Sequence, residues 1–344
     1  MTVKGNVHVG AVIASSALVF LVTGFAANPT SSTTVTSGPW TYTVTPAPPR
    51  FDPLTASNSK LAQYGFPQRP TNPSQLAKWT FAMRHAKTFV IPNLVPTSDL
   101  TSPVAGEKSG GSNAAFSTDV TGSWAGYSVD SPNNGNVSYY GANATWTVPS
   151  VASNSSFSWS NGDPLSEVPW LAQWAGMGGA PGSPSNSILQ DGVVEVSAST
   201  TKYRFFTENY PNSAVLEGPT ISSGDVAYVT VSTTNNGNGT YLTSYFVENE
   251  STGEYGSFTV DTAASSVSEW SDEFETEVNS AFAVPRFTSI PFSSCEVSDS
   301  SGITEAFGDQ TYTKQVDESG GYTLMEPSSV NTSKAGFTVT FVNP

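Results

Sequence analysis

The stretch that decides the fold class runs from residue 225 to residue 250 and reads DVAYVTVSTTNNGNGTYLTSYFVENE. In its first half Ala227, Val229 and Val231 alternate with other residues, so they share one face of a strand. The turn formers NNGNG at 235–239 separate this strand from a second β-rich run. The pattern predicts an antiparallel hairpin.

The same pattern recurs along the chain. After the turn-rich STGEYG, the run SFTVDTA at 257–263 predicts a further strand. Near the end, GFTVTFVN places Phe337, Val339 and Phe341 on one face, as a half-buried strand requires. Short strands linked by turns in this way are typical of an all-β sandwich or barrel.

Residues 1–27 carry the pattern of a signal peptide. Lys4 precedes an apolar run from Val9 to Ala27 that ends in small residues. We therefore expect a secreted, extracellular protein that does not stay in the membrane after the signal is removed. A retained anchor is the alternative, because the run approaches the ~20 residues that span a bilayer.

The charges divide the chain into two unlike parts. Eight of the 13 basic residues but only three of the 28 acidic residues lie at or before Lys108, a net charge of +5. The rest of the chain carries the remaining five basic and 25 acidic residues, a net charge of −20. The two parts should attract each other. We interpret residues 28–115 as a propeptide and intramolecular inhibitor that loosens in acid as carboxylates are protonated, with a flexible basic linker as the alternative.

Within this propeptide we expect one helix in a loosely folded segment. Asn72 and Pro73 form a helix start, and Leu76, Trp79 and Met83 follow on one face, which predicts a helix near residues 73–87. The Gly- and Ser-rich stretch AGEKSGGSNAAFSTD at 105–119 marks the boundary. It predicts a maturation point within about ten residues of Gly110 and a β domain over 116–344.

The residue types limit the chemistry of the β domain. His8 and His85 both precede residue 116, which excludes a Ser-His-Asp triad, a Cys-His dyad and His-ligated zinc. We expect neither a metal nor a cofactor, and the net charge of −20 argues against nucleic acid as a partner. Cys295 is the only cysteine, so no intramolecular disulfide forms. Carboxylates remain for proton transfer, which suits acidic pH.

Several segments resemble the glutamic peptidase (eqolisin) family in their order and spacing. These are SWAGYS at 123–128, ATWTVPS at 144–150, WAGMGG at 174–179, ILQDG at 188–192, ENYP at 208–211 and SEWSDE at 268–273. The run RFDPLTASNSKLAQYGFPQRP at 50–70 is similar to the prosegments of bacterial-type members. The resemblance implies a concanavalin-like sandwich of two antiparallel sheets, with protein or peptide substrates. It also implies an acid endopeptidase that pepstatin does not inhibit.

The resemblance assigns a catalytic pair. The glutamine of the family's I-L-Q-x-G motif falls on Gln190, and the glutamate that closes its Glu-aromatic-x-x-Glu motif falls on Glu273. Glu273 would act as general base on a water and then as acid, and Gln190 would donate to the oxyanion. Glu269 opens the second motif as a secondary acidic residue. Glu275 is the alternative base, because Ser-Asp replaces the apolar residues common between the two glutamates.

Further residues match positions around the family's cleft. Trp124 and Trp174 match tryptophans that line it, and Glu208 and Tyr210 match polar residues near the pair. All four can instead belong to the core. Gly178 stands where family members often carry Asp, and the family's disulfides are absent, which leaves cleavage preference open.

Two other functions fit the same composition. A carbohydrate-binding or adhesive β-sandwich shares the Ser and Thr richness, but it has no need of a removable basic leader. A glycoside hydrolase with two carboxylates is the other alternative, and Gln190 would then contribute little. For the peptidase we expect a monomer.

Overall fold

The computed structural model describes most of the chain. The described residues are 32–37, 40–96, 116–121, 123–130, 134–135, 138–160, 163–178, 188–210, 215–235, 240–263, 271–278, 281–299, 302–307, 312–319 and 322–342. The predicted signal peptide, the expected maturation point near Gly110 and Glu269 lie outside them. Within these ranges, the helices are too short or too polar to cross a bilayer.

The described residues form mainly β-strands. The strands are β1 (Thr33–Ser37), β2 (Trp40–Val44), β3 (Thr88–Phe89), β4 (Val95–Pro96), β5 (Phe116–Thr121), β6 (Trp124–Asp130), β7 (Tyr139–Thr147), β8 (Trp170–Gly178), β9 (Ile188–Val196), β10 (Lys202–Tyr210), β11 (Val215–Glu217), β12 (Val226–Asn235), β13 (Thr240–Asn249), β14 (Glu254–Ala263), β15 (Ser271–Val278), β16 (Ile290–Asp299), β17 (Gly302–Glu305), β18 (Tyr312–Ser319), β19 (Tyr322–Pro327) and β20 (Phe337–Phe341). The helices are α1 (Asn58–Gln63) and α2 (Pro73–His85), with 3-10 turns at Leu165–Glu167 and Thr332–Lys334.

The strands make two sheets. The first runs β5-β18-β6-β15-β8-β9-β10-β11-β4, and the second runs β1-β2-β14-β13-β12-β7-β16-β20-β19. Strand β3 pairs beside β14, strand β17 pairs beside β16, and β18 also pairs with β19, which joins the two sheets. Neighbours are antiparallel except at the β5–β18 and β3–β14 pairings. The predicted sandwich of two antiparallel sheets is confirmed.

One face of each sheet supplies the main core. Ala227, Val229 and Val231 are fully buried there, and Phe337 and Val339 join them, as their alternation predicts. Cys295 lies in this core, and burial raises the pKa of its thiol well above the usual range. Because Cys295 is free, apolar packing and not a disulfide stabilises the sandwich.

A second apolar cluster covers the other face of the first sheet. We call it the site-face cluster; it contains Trp124, Trp159, Leu165, Val168, Trp170, Ala172, Trp174, Ile188, Val194, Val196, Ala198 and Phe206. Because both faces of β8 and β9 are covered, every residue of these two strands is buried. A strand buried on both faces shows no simple alternation of polar and apolar residues.

The N-terminal segment, residues 40–96, is more regular than the loose segment with one helix that the sequence predicts. The predicted helix is α2, where the Asn72 side chain accepts a hydrogen bond of 2.9 Å from the backbone N–H of Ser74 and Pro73 occupies the first turn. The segment also contains α1 and the strands β2, β3 and β4. It packs against the outer face of the second sheet in a third apolar cluster.

Candidate active site

The register of the first sheet brings the two predicted catalytic residues into one row. Glu273 on β15 lies opposite Gly176 on β8, Gly176 lies opposite Gln190 on β9, and Gln190 lies opposite Glu208 on β10. Residues directly opposite one another in paired strands point to the same face of a sheet. The row therefore sets Glu273, Gln190 and Glu208 on one face, and it is the face that carries the site-face cluster.

Gly176 separates the two members of the pair. Glu273 and Gln190 are two strands apart, which corresponds to about 9–10 Å between backbones. A Cβ atom at Gly176 would lie 2.8 Å from Cβ of Gln190 and 3.0 Å from the carbonyl oxygen of Leu189. The strands therefore pack so closely at this position that only glycine fits beside Gln190.

Hydrogen bonding fixes the amide of Gln190. Its Nε2 donates to Oε2 of Glu208 over 2.7 Å, and both side chains are fully buried. Its Oε1 has no hydrogen-bond partner among the described residues. Since a primary amide carries two N–H donors, one donor and the carbonyl oxygen of Gln190 remain for a ligand.

The structure describes Glu273 by its backbone position, and this position separates it from Glu275. Glu275 lies on the same face but opposite Trp174, which in turn lies opposite Gly192. Of these two glutamates, only Glu273 shares the direct row with Gln190. The register thus favours Glu273 over the alternative base.

The two matched tryptophans lie on the site face and are buried. Trp124 is 2% exposed and Trp174 is fully buried, and their rings meet edge to face with centroids 6.0 Å apart. They belong to the site-face cluster and take no part in the packing between the two sheets. Both rings are therefore buried on the site face, beneath the predicted catalytic row.

Tyr210 and Gly178 each lie two residues further along their strands than Glu208 and Gly176, the members of the row on those strands. Tyr210 is partly buried against the site-face cluster and pairs with Ile188, which pairs with Gly178. Gly178 has a φ of 91°, in the left-handed range that favours glycine. The backbone conformation at this position therefore favours the glycine that this chain carries in place of the family's Asp.

Motif matching missed Ser128 as a member of the row. Ser128 on β6 lies opposite Glu273, and its Oγ is buried without a hydrogen-bond partner among the described residues. Ser128 ends the segment SWAGYS, but its place beside Glu273 depends on the pairing of β6 with β15. Within the described ranges, His, Cys, Asp and Glu side chains form no group of three or more placed to hold a metal ion.

A protein-family model described as the Peptidase A4 family matches residues 122–341, well over half of the chain. The chain belongs to the Peptidase A4 family. The resemblance to glutamic peptidases is thereby confirmed, and the A4 match covers the sandwich but leaves out the N-terminal segment. We conclude that the chain is a peptidase of the glutamic type, with proteins or peptides as its substrates.

Solved structures agree with the A4 fold. Scytalido-glutamic peptidase with a transition state analog inhibitor matches with 21% identity and a TM-score of 0.50, covering 64% of this chain and 98% of that chain. The same enzyme with a peptide-based transition state analog matches with 20% identity, the same TM-score and the same coverage. No curated protein matches the chain. At these identities the likeness establishes the fold.

Proposed function

We propose that this A4 peptidase is a secreted endopeptidase that cleaves proteins in acid, with Glu273 and Gln190 as its catalytic pair. The observation that carries the proposal is the direct row of Glu273, Gly176, Gln190 and Glu208. This row places the glutamate and the glutamine on one face of the sheet, two strands apart. That arrangement suits a water molecule held by both groups.

In the proposed reaction Glu273 acts first as a base. Its carboxylate takes a proton from the water as the water oxygen attacks the carbonyl carbon of the scissile peptide bond. The protonated Glu273 then gives that proton to the leaving nitrogen, and the C–N bond breaks. Water is the nucleophile, so no acyl-enzyme forms and Glu273 returns to its ionised state.

Gln190 stabilises the charge that develops on the carbonyl oxygen. Its free N–H donates to the oxyanion, and its Oε1 accepts a hydrogen bond from the attacking water. Glu208 holds the amide by accepting the other N–H over 2.7 Å. Glu208 is therefore a positioning residue, because it selects which end of the amide faces the water.

The acidic working range follows from the residue types of the domain. Residues 116–344 contain no histidine, so proton transfer falls to carboxylates, whose pKa values are ordinarily about 4. Acid also favours protonation of the leaving amine. We expect activity to fall towards neutral pH.

The decisive experiment is the Glu273→Gln variant, assayed on denatured protein at about pH 3–4. Cleavage of the substrate should disappear while the circular dichroism spectrum stays that of the parent. Asp261→Asn, which changes an exposed carboxylate on the second sheet, is the matched control and should keep full activity. Activity that survives in Glu273→Gln contradicts the assignment.

Inhibitors and other substrates separate this proposal from its rivals. A pepstatin-type compound, made for two aspartates, should not block a pair of glutamate and glutamine. Polysaccharides should be neither hydrolysed nor bound by the purified protein. Strong inhibition by pepstatin, or hydrolysis of a glycan, points to another catalytic site.

Export, maturation and assembly complete the proposal. We propose cleavage of the signal peptide after about residue 27, and a monomer in solution. Until the chain is cut, the N-terminal segment is an intramolecular inhibitor; its Val95 packs on the site-face cluster, as Tyr210 does. The cut ends this inhibition. N-terminal sequencing of protein from the culture medium, light scattering, and peptidase activity before and after a cut within 97–115 test these three points.

A further inference from the structure

We propose that residues 40–96 are a permanent, noncovalently held subunit of this protein: once the chain is cut between residues 97 and 115, the N-terminal segment stays bound to the sandwich. The proposal concerns the outer face of the second sheet, and the partner is a segment of the same chain. It rests on the proposed function in one respect only, namely that the chain's own peptidase activity makes the natural cut.

Strand β2 builds the N-terminal segment into the second sheet. It extends this sheet at β14, with Tyr42 opposite Val260. Tyr42 is fully buried in the main core, where its ring meets Phe258 edge to face at 5.4 Å and its hydroxyl accepts a hydrogen bond of 3.4 Å from Nδ2 of Asn209. Loss of the segment would open the space between the two sheets.

The end of the segment is held at both sheets. Backbone N–H groups of Lys87 and Thr88 donate to the carbonyl oxygen of Gly253 over 2.9 and 3.0 Å. Strand β4 pairs with β11 at the edge of the first sheet, with Val95 opposite Leu216. The segment thus joins the second sheet to the first along a route separate from the main core.

An aromatic layer holds the middle of the segment. The ring of Phe66 lies 5.4 Å from that of Phe246 and 5.3 Å from that of Tyr255. Trp79 and Met83 on α2 are also buried in this cluster. Removal of the segment would expose a contiguous aromatic patch, which a soluble protein rarely presents to water.

A buried carboxyl group lies beneath this layer. Glu248 on β13 is fully buried, and neither of its carboxyl oxygens has a hydrogen-bond partner among the described residues. Tyr228 and Tyr255 flank it on the neighbouring strands. Burial, reinforced by the charge of Glu250, raises the pKa of Glu248 to about 9.

The remaining charged groups around Glu248 lie towards the helix. Burial also raises the pKa of Glu250, against the opposing effect of His85 from the end of α2. Lys78 of α2 lies 3.5 Å from Glu296 across the interface. Because the Lys78 side chain is 33% exposed, solvent screens this ion pair and limits its contribution.

The raised pKa of Glu248 gives the association a definite pH dependence. In a released sandwich Glu248 would meet water and its pKa would return to about 4.5. Association therefore takes up a proton, is strongest below that pH and weakens as the pH rises towards 9. The charge split between the two parts of the chain predicts the opposite, a weaker association in acid. The Lys78–Glu296 ion pair would weaken in acid in that way, but solvent screens it.

The test separates the segment from the sandwich without using the chain's own activity. In the full-length Glu273→Gln variant, residues 105–111 are replaced by the recognition sequence of a site-specific protease, and the purified chain is cut with that protease. Size-exclusion chromatography at pH 4.5 should show both fragments in one peak. Separate elution of the N-terminal fragment at pH 4.5 overturns the proposal, whatever the fate of the catalytic assignment.

Titration of the cut complex tests the buried carboxyl group. The dissociation constant of the fragment should rise by up to about 1,000-fold between pH 4.5 and 7.5, the limit for one proton over three pH units. Glu248→Gln should flatten this rise, and the exposed-site control Asp261→Asn should keep it. Tyr42→Ala should weaken binding at both pH values. A parental slope in Glu248→Gln contradicts the role given to Glu248.

Discussion

Two glutamine–glutamate pairs lie on adjacent strands of the first sheet, and they differ in the face to which they point. Gln190 donates to Glu208 over 2.7 Å on the site face, and Gln173 donates to Glu195 over 2.8 Å on the face towards the main core. All four side chains are fully buried. Residue type and hydrogen bonding are therefore nearly the same in the two pairs.

The difference lies in what surrounds each pair. The row of Gln190 continues through Gly176 to Glu273. Around Glu195 the apolar main core encloses the carboxyl group, and burial raises its pKa well above the usual range. Because successive residues of a strand point to opposite faces, the same two residue types lie on the site face in one pair and towards the main core in the other.

Paired alanine substitutions should give the largest contrast. Gln190→Ala should lower kcat about 100- to 1,000-fold, because an oxyanion donor is lost. Both Gln190→Ala and Gln173→Ala should lower stability by about 1–3 kcal/mol, because each removes a hydrogen-bond donor from a buried carboxyl group, but Gln173→Ala should leave kcat almost unchanged. Peptidase kinetics and thermal melts on the same samples check this. Equal losses of kcat in the two variants would remove the functional distinction between the pairs.

Gly176→Ala should damage both site geometry and packing. Its new Cβ would lie 2.8 Å from Cβ of Gln190, so we expect roughly 1–3 kcal/mol of destabilisation from overpacking and a loss in kcat of roughly tenfold or more. The double variant with Gln190→Ala is the control. In that background Gly176→Ala should cost little further activity, and fully additive losses would argue against a shared site.

Glu195→Gln should change how stability depends on pH. Of the variants in this comparison it should affect activity least. A pKa that is raised in the folded state gives stability that is complete below about pH 4.5 and is lost as the pH rises. The neutral amide removes this loss, up to about 1.4 kcal/mol per pH unit. Urea unfolding at pH 4.5 and 7.5 should therefore show a flatter dependence in the variant. An unchanged dependence would mean that Glu195 is already ionised in the folded protein.

Local patterns predicted the strands but not their neighbours. Alternation placed Ala227, Val229 and Val231 in the core, because every second residue of a strand lies on the same face. The row of Gln190 and Glu273 depends on strands more than 80 positions apart in the chain, and no local pattern encodes that pairing. The motifs supplied the two residues, and the register supplied their proximity.

The N-terminal segment shows a second limit. Its helix α2 has a cap and an apolar face, so its start and its length could be predicted. Strands β3 and β4 have only two residues each, too few for any alternation to appear. Their pairing depends on β14 and β11, more than 100 residues further along the chain.

The reactivity of Cys295 can report on transient opening of the main core. Its thiol is fully buried and burial raises its pKa, so the folded protein should resist alkylating reagents. As the only cysteine in the chain it gives a single reaction site. The rate at which iodoacetamide modifies it should therefore measure how often the two sheets part, without any engineered label.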